Sequence, residues 1–113
     1  MALKRNPLNL NPLQLRTLAL LQELARHPEL GTPNADGGVM LSQLPQPHGD
    51  HFHVGSKTVA SKDATGLANP AVWAALERKG LAQGAFPFAI TITKDGIAYD
   101  TATAGHFMHG GDH

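Results

Sequence analysis

Apolar residues between positions 13 and 25 recur at spacings of three and four. Leu13, Leu15, Leu18, Ala19, Leu20, Leu21, Leu24 and Ala25 form two adjoining stripes, the wide apolar face of a core helix. Asn11 is a good N-cap, and Pro12 fits the first helical position, where its missing N–H costs nothing. Pro28 disfavours helical geometry at His27 and stops the helix there. A second helix is predicted from Asn69, again followed by proline, with Val72, Trp73 and Leu76 as its apolar contacts. Gly80 stands where a left-handed residue ends a helix, and Leu81 can fold back on Leu76. Arg78 and Lys79 complement the negative end of the helix dipole.

Alternation predicts the strands. Val39 to Leu44 is a short strand candidate, closed by Pro45-Gln46-Pro47, and the Gly31–Gly38 stretch before it has loop chemistry. His51 to Val54 alternates, Gly55-Ser56 suits a type II′ turn, and Lys57 to Ser61 returns. A two-residue turn sets Val54 opposite Lys57, His53 opposite Thr58, Phe52 opposite Val59 and His51 opposite Ala60. Phe52 and Val59 then share one face, and His51, His53, Thr58 and Ala60 the other. Farther on, Ile90 and Ile92 alternate with Thr91 and Thr93. Asp95-Gly96 offers a turn, and Ile97 and Tyr99 a returning strand. Glycines after Ala104 predict a frayed end. The expected organisation is an N-terminal arm over 1–10, one α+β domain over 11–103 and a flexible His/Gly-rich tail over 104–113.

Composition narrows the function classes. The 113 residues suit one domain. Charged residues are 16%, and nine Lys plus Arg balance nine Asp plus Glu. That excludes a strongly basic nucleic-acid binder and an acidic tail protein. Without cysteine there are no disulfides, thiolate metal sites or thiol catalysis. No apolar run approaches the roughly 20 residues of a membrane span. Lys4 and Arg5 precede Asn and Pro residues that break any leader-like apolar stretch, so the expectation is a cytoplasmic protein with no membrane partner.

The stretch Asn69-Pro70-Ala71-Val72-Trp73-Ala74-Ala75-Leu76-Glu77-Arg78-Lys79-Gly80-Leu81, followed by Ile90-Thr91-Ile92-Thr93-Lys94-Asp95-Gly96, resembles the end of a winged helix-turn-helix domain. In that superfamily a recognition helix commonly closes on a Leu-Glu-Arg-Lys-Gly-Leu-like phrase, and a two-stranded wing with an Ile-Thr-x-x-Gly-like phrase follows. The likeness covers 69–100 and implies a small winged-helix-like α+β fold: a long N-terminal helix, two β-hairpins and a second capped helix. The first half departs from the pattern, since a hairpin over 51–61 stands where two helices belong.

The resemblance implies that Arg78, Lys79 and Lys94 would be the nucleic-acid contacts. Readers of base edges are chiefly Arg, Lys, Asn or Gln, whereas the early turns of this helix offer Ala71, Ala74 and Ala75. Arg78 and Lys79 come only at its end, within reach of phosphate at most, and Lys94 lies beside Asp95. Phosphate contacts dominate nucleic-acid affinity. The low charge therefore disfavours DNA and fits protein contact or self-association better.

Six of the seven histidines fall in two groups, His48-Gly49-Asp50-His51-Phe52-His53 and His106 to His113. On a strand His51 and His53 project to one face, and His48 or Asp50 could add a third ligand for zinc or nickel. Equally, they are ordinary solvent-facing strand positions. The order His-x-Asp-His-x-His is not that of metallo-β-lactamases. Gly55-Ser56-Lys57-Thr58 lacks the Gly-Lys junction of a phosphate-binding loop. Ser42, Ser56 and Ser61 lack a nucleophile-elbow context, and no spacing makes an acid–base group of His51, His53 and Asp63. The expected function is a non-catalytic interaction or regulatory module acting through protein contacts. The alternatives are a histidine-based transition-metal protein and a winged-helix DNA binder. The expected cofactor is none, or a metal such as zinc or nickel.

Overall fold

The computed structural model describes residues 7–42, 44, 49–54, 57–86, 88–101 and 108–110. Asn11 opens α1 (Pro12–Ala25) with a reciprocal cap. Its side chain accepts from the Gln14 N–H at 2.8 Å, and Gln14 Oε1 accepts from the Asn11 N–H at 3.0 Å. Leu18, Leu20, Leu21 and Leu24 are buried along one side of this helix. The chain continues through β1 (Gly31–Pro33), β2 (Val39–Leu41), β3 (His51–Val54) and β4 (Lys57–Ala60). Two 3₁₀ turns (Ser61–Asp63 and Thr65–Ala68) lead into α2 (Pro70–Arg78), then β5 (Ala82–Ala85), β6 (Ala89–Ile92), α3 (Lys94–Ala98) and β7 (Met108–Gly110). The fold class is α+β.

Both ends of α2 follow from local chemistry. Asn69 Oδ1 accepts from the Ala71 N–H at 2.9 Å. At the other end the Leu81 N–H donates to Leu76 O and the Gly80 N–H to Glu77 O, each at 3.0 Å, with Gly80 at φ 75°. These two bonds are the Schellman pair. A side chain at Gly80 would meet open space, so only the backbone conformation resists substitution. Gly80→Val is therefore expected to cost roughly 1–2 kcal/mol in urea denaturation. Unchanged stability would contradict the left-handed stop.

Two antiparallel sheets result, one in the order β1-β2-β6-β5 and the other β3-β4-β7. The buried cluster gathers the leucines of α1 with Val72, Trp73 and Leu76 of α2, Leu41, Ile90 and Ile92 of the first sheet, and Val59 of the second. The β3–β4 register pairs His51 with Ala60, Phe52 with Val59, His53 with Thr58 and Val54 with Lys57, as the two-residue turn requires. The turn itself, Gly55-Ser56, lies outside the described residues.

Elsewhere the structure corrects the strand assignments. The second hairpin is β5–β6, pairing Gln83 with Thr91 and Gly84 with Ile90, not 90–93 with 97–99. Thr93 ends the strand because its hydroxyl accepts from the Gly96 N–H at 3.0 Å and caps α3. Gly96 is buried against the Leu81 carbonyl, and Gln22 of α1 holds the same segment by donating to Gly96 O at 2.9 Å and Tyr99 O at 2.8 Å. Gly31–Pro33, expected in a loop, pairs with β2, and the loop shrinks to 34–38, where Asn34 Oδ1 accepts from the Asp36 and Gly38 N–H groups. The strand expected over 39–44 ends at Leu41. Within the stretch expected to be a frayed tail, β7 pairs with β4. The end of the N-terminal arm is docked: Leu10 is buried, the Leu8 N–H donates to Tyr99 Oη at 3.0 Å, and Lys79 Nζ donates to Leu8 O at 2.8 Å. Among the described residues no helix is long and apolar enough to cross a membrane.

Candidate interaction surface

Helix α2 buries Val72, Trp73, Ala75 and Leu76 and leaves Ala71, Ala74, Glu77 and Arg78 exposed. Its 3.6-residue period thus divides it into a core face and a small-residue outer face. Trp73 is fixed from two sides. Its Nε1–H donates to Leu67 O at 3.1 Å, and its ring meets Phe86 edge to face with centroids 4.8 Å apart. Buried indole and a perpendicular aromatic partner make a stiff wall. Between α2 and the β5–β6 hairpin runs a groove of about 170 Å³, with Trp73, Ala74 and Phe86 on its walls, buried Ala82 and Ile90 beneath, and Glu77 and Gln83 on its lining. At the hairpin tip Phe88 is 77% exposed and Phe86 39%.

The candidate nucleic-acid residues do not lead this surface. Arg78 is exposed beside Glu77 at the end of α2, and Lys79 is engaged with Leu8 O. Lys94 lines a separate polar cleft together with Asn34, Asp36, Thr93 and Asp95, so two carboxylates accompany its ammonium. None of the three stands on the early turns of α2.

The histidine strand has its own geometry. His51 is half-buried and His53 exposed, with ring centroids 5.0 Å apart and planes nearly perpendicular. Asp50 Oδ1 lies 3.3 Å from His51 Nδ1. The β4–β7 register sets His109 beside Thr58, itself opposite His53. His48 lies outside the described residues. Among the described residues, no three His, Asp or Glu side chains are gathered closely enough to hold a metal ion.

Comparison with known protein families, with curated proteins and with solved structures finds no match for this chain.

Two features of the structure escape sequence inspection. Phe86 and Phe88 stand in Ala85-Phe86-Pro87-Phe88-Ala89, which as a string looks like core; an aromatic pair flanking a proline is the only signal available. Glu23 is the other. Its buried carboxylate lies 2.8 Å from Arg26 Nη1, 3.2 Å from His27 Nε2 and 3.4 Å from Lys57 Nζ. Arg26 and His27 could be anticipated at helical spacings of three and four. Lys57 arrives from β4, so only the fold joins α1 to the second sheet through this charge.

Proposed function

We propose that the domain is a non-catalytic interaction module whose contact surface is α2 together with the β5–β6 hairpin. The observation that carries this reading is Phe88, a large apolar side chain 77% exposed on the hairpin whose Phe86 and Ile90 line an aromatic-walled groove. Scattered surface apolar residues are ordinary, but an aromatic residue next to an apolar concavity is the composition of a contact centre. The order of a capped helix, a left-handed glycine and two paired strands supports the likeness to a winged helix. Ala71 and Ala74 on the outer face of α2 favour protein over base edges as the thing contacted.

A photo-crosslinking amino acid placed at Phe88 in producing cells is the test, with Lys62, also exposed, as the control position. Covalent adducts to protein, whether this chain or another, are expected from position 88 and not from 62. No adduct from 88, or equal yields from both, would refute the reading. Duplex DNA should show no sequence-selective binding tighter than about 1 µM at physiological salt; selective binding below that would return the winged-helix DNA reading to the front.

A second reading is favoured by the Asp50–His51 contact, since a carboxylate on one ring nitrogen is what orients a ligating imidazole. It makes β3 a site for zinc or nickel. In a background with His106→Ala and His113→Ala, further change of His51→Ala/His53→Ala should abolish zinc uptake measured by calorimetry. Uptake before that change should weaken as the pH is lowered, because ligating imidazole must be neutral. Equal affinity in the two proteins would exclude the hairpin as the site.

A further inference from the structure

Two histidine groups far apart in the chain meet on one row of the second sheet. That sheet runs in the order β3-β4-β7. Thr58 of β4 pairs with His53 on one side and with His109 on the other. Residues paired across a sheet share a face, so positions 53, 58 and 109 stand on the same one. Val59, next to Thr58, is fully buried and marks the opposite face as the core side. His51 alternates with His53 onto the outer face, and their ring centroids are 5.0 Å apart. Asp50 Oδ1 lies 3.3 Å from His51 Nδ1, which favours the ring proton there and makes Nε2 the ligating nitrogen.

We propose that His109 of β7 is the third ligand of a zinc ion held by His51 and His53, and that the ion staples β7 to the sheet. This rests on the second reading above, in which β3 is a metal site, and names what completes it. Positions 53 and 109 are separated by two ladder spacings, roughly 10 Å. Thr58 between them is short, so imidazoles leaning over it from both sides converge on one ion at Zn–N distances of about 2.0–2.1 Å. As the structure stands, no three such side chains are gathered among the described residues. The ion therefore assembles them by side-chain rotation, on an unchanged register. Three imidazoles leave the fourth tetrahedral position to water. The staple acts where the fold is thinnest. Strand β7 has three residues and pairs only with β4, at the edge of the sheet. Ligation joins it to β3, a strand it does not otherwise pair with.

Zinc titration by calorimetry into the full chain carrying His106→Ala and His113→Ala tests this. Adding His109→Val, which keeps a strand-forming side chain, should weaken uptake by at least about tenfold. His109→Asp forms strands less well but supplies a zinc-binding carboxylate, so it should bind more tightly than His109→Val. A purely structural role for β7 predicts the reverse order and would overturn the proposal. The second readout is hydrogen exchange. Zinc should slow exchange of the amides at 108–110, and His51→Ala/His53→Ala should abolish that slowing although it alters neither β4 nor β7. Unchanged affinity in His109→Val, with uptake still abolished by His51→Ala/His53→Ala, would overturn the third ligand and leave the β3 site standing. A loss on His48→Ala in place of His109→Val would overturn it equally, by putting the third ligand before β3. Uptake unchanged by His51→Ala/His53→Ala would remove both the staple and the reading it rests on.

Discussion

Replacing Leu76 by alanine is expected to remove about 2–5 kcal/mol of folding stability. Leu76 is fully buried, and it sits where α2 meets the leucines of α1 and the β6 isoleucines. Deleting its isobutyl group loses the transfer free energy of the side chain and leaves a cavity. The walls of that cavity belong to elements held by their own hydrogen bonds, so they collapse only partly. The backbone stop of α2 uses the Leu76 carbonyl, not its side chain, and stays available. A domain of ordinary stability has roughly 5–15 kcal/mol in total, so this one change takes a large share. Urea denaturation should show a lower midpoint at unchanged slope, whereas Ala74→Ser on the outer face of the same helix should stay within about 0.5 kcal/mol. A Leu76→Ala loss below about 1 kcal/mol would show that α2 is not packed as described.

Gly96→Ala is the second large effect, and its sign is the informative part. In an open helix the change from glycine to alanine stabilises by roughly 1 kcal/mol. Here the added methyl would run into the Leu81 carbonyl and lie 2.9 Å from Ile92 Cγ1. Neither neighbour can give way. Ile92 is fully buried. Leu81 is tied through both of its flanking peptides: its N–H donates to Leu76 O and its carbonyl accepts from the Thr93 N–H, each at 3.0 Å. Overpacking against such a site costs about 1–3 kcal/mol, which outweighs the propensity gain. Loss of stability is therefore expected, with increased amide exchange through α3 and at Thr101, whose hydroxyl donates to Gln22 Oε1. A stabilised Gly96→Ala protein would mean that α3 does not pack on Leu81.

The elements most legible in the chain are those whose determinants are local. Asn11-Pro12 and Asn69-Pro70 define two helix starts because the cap side chain and the proline ring act within one turn. Gly80 ends α2 because a positive φ is cheap only without a Cβ. The β3–β4 register was readable from the length of its turn alone. The misreadings lie where a local signal has two meanings. Asp95-Gly96 suits a hairpin turn, yet Thr93 three residues before Gly96 also suits a helix cap. The contact of Gly96 with Leu81 and the grip of Gln22 decide for the helix, and both partners are distant in sequence. Strands β1 and β7 are three residues each and contain glycine, proline or histidine, so they have no period to read. They are strands because β2 and β4 present an edge to them.

The candidate surface divides in the same way. By itself the sequence determined an α+β chain of low, balanced charge, with two capped helices, a histidine-bearing hairpin of defined register and few cations on the outer turns of α2. Those properties come from side chains acting on their own backbone or summed over the whole chain, and they need no knowledge of neighbours. Tertiary structure alone decided which aromatic residues are core and which are surface. Trp73 and Phe86 become the wall of a groove, and Phe88, two residues farther on, is left in solvent. Burial is a property of what packs opposite a side chain, and on this hairpin that is set by how the paired β5 and β6 sit against α2.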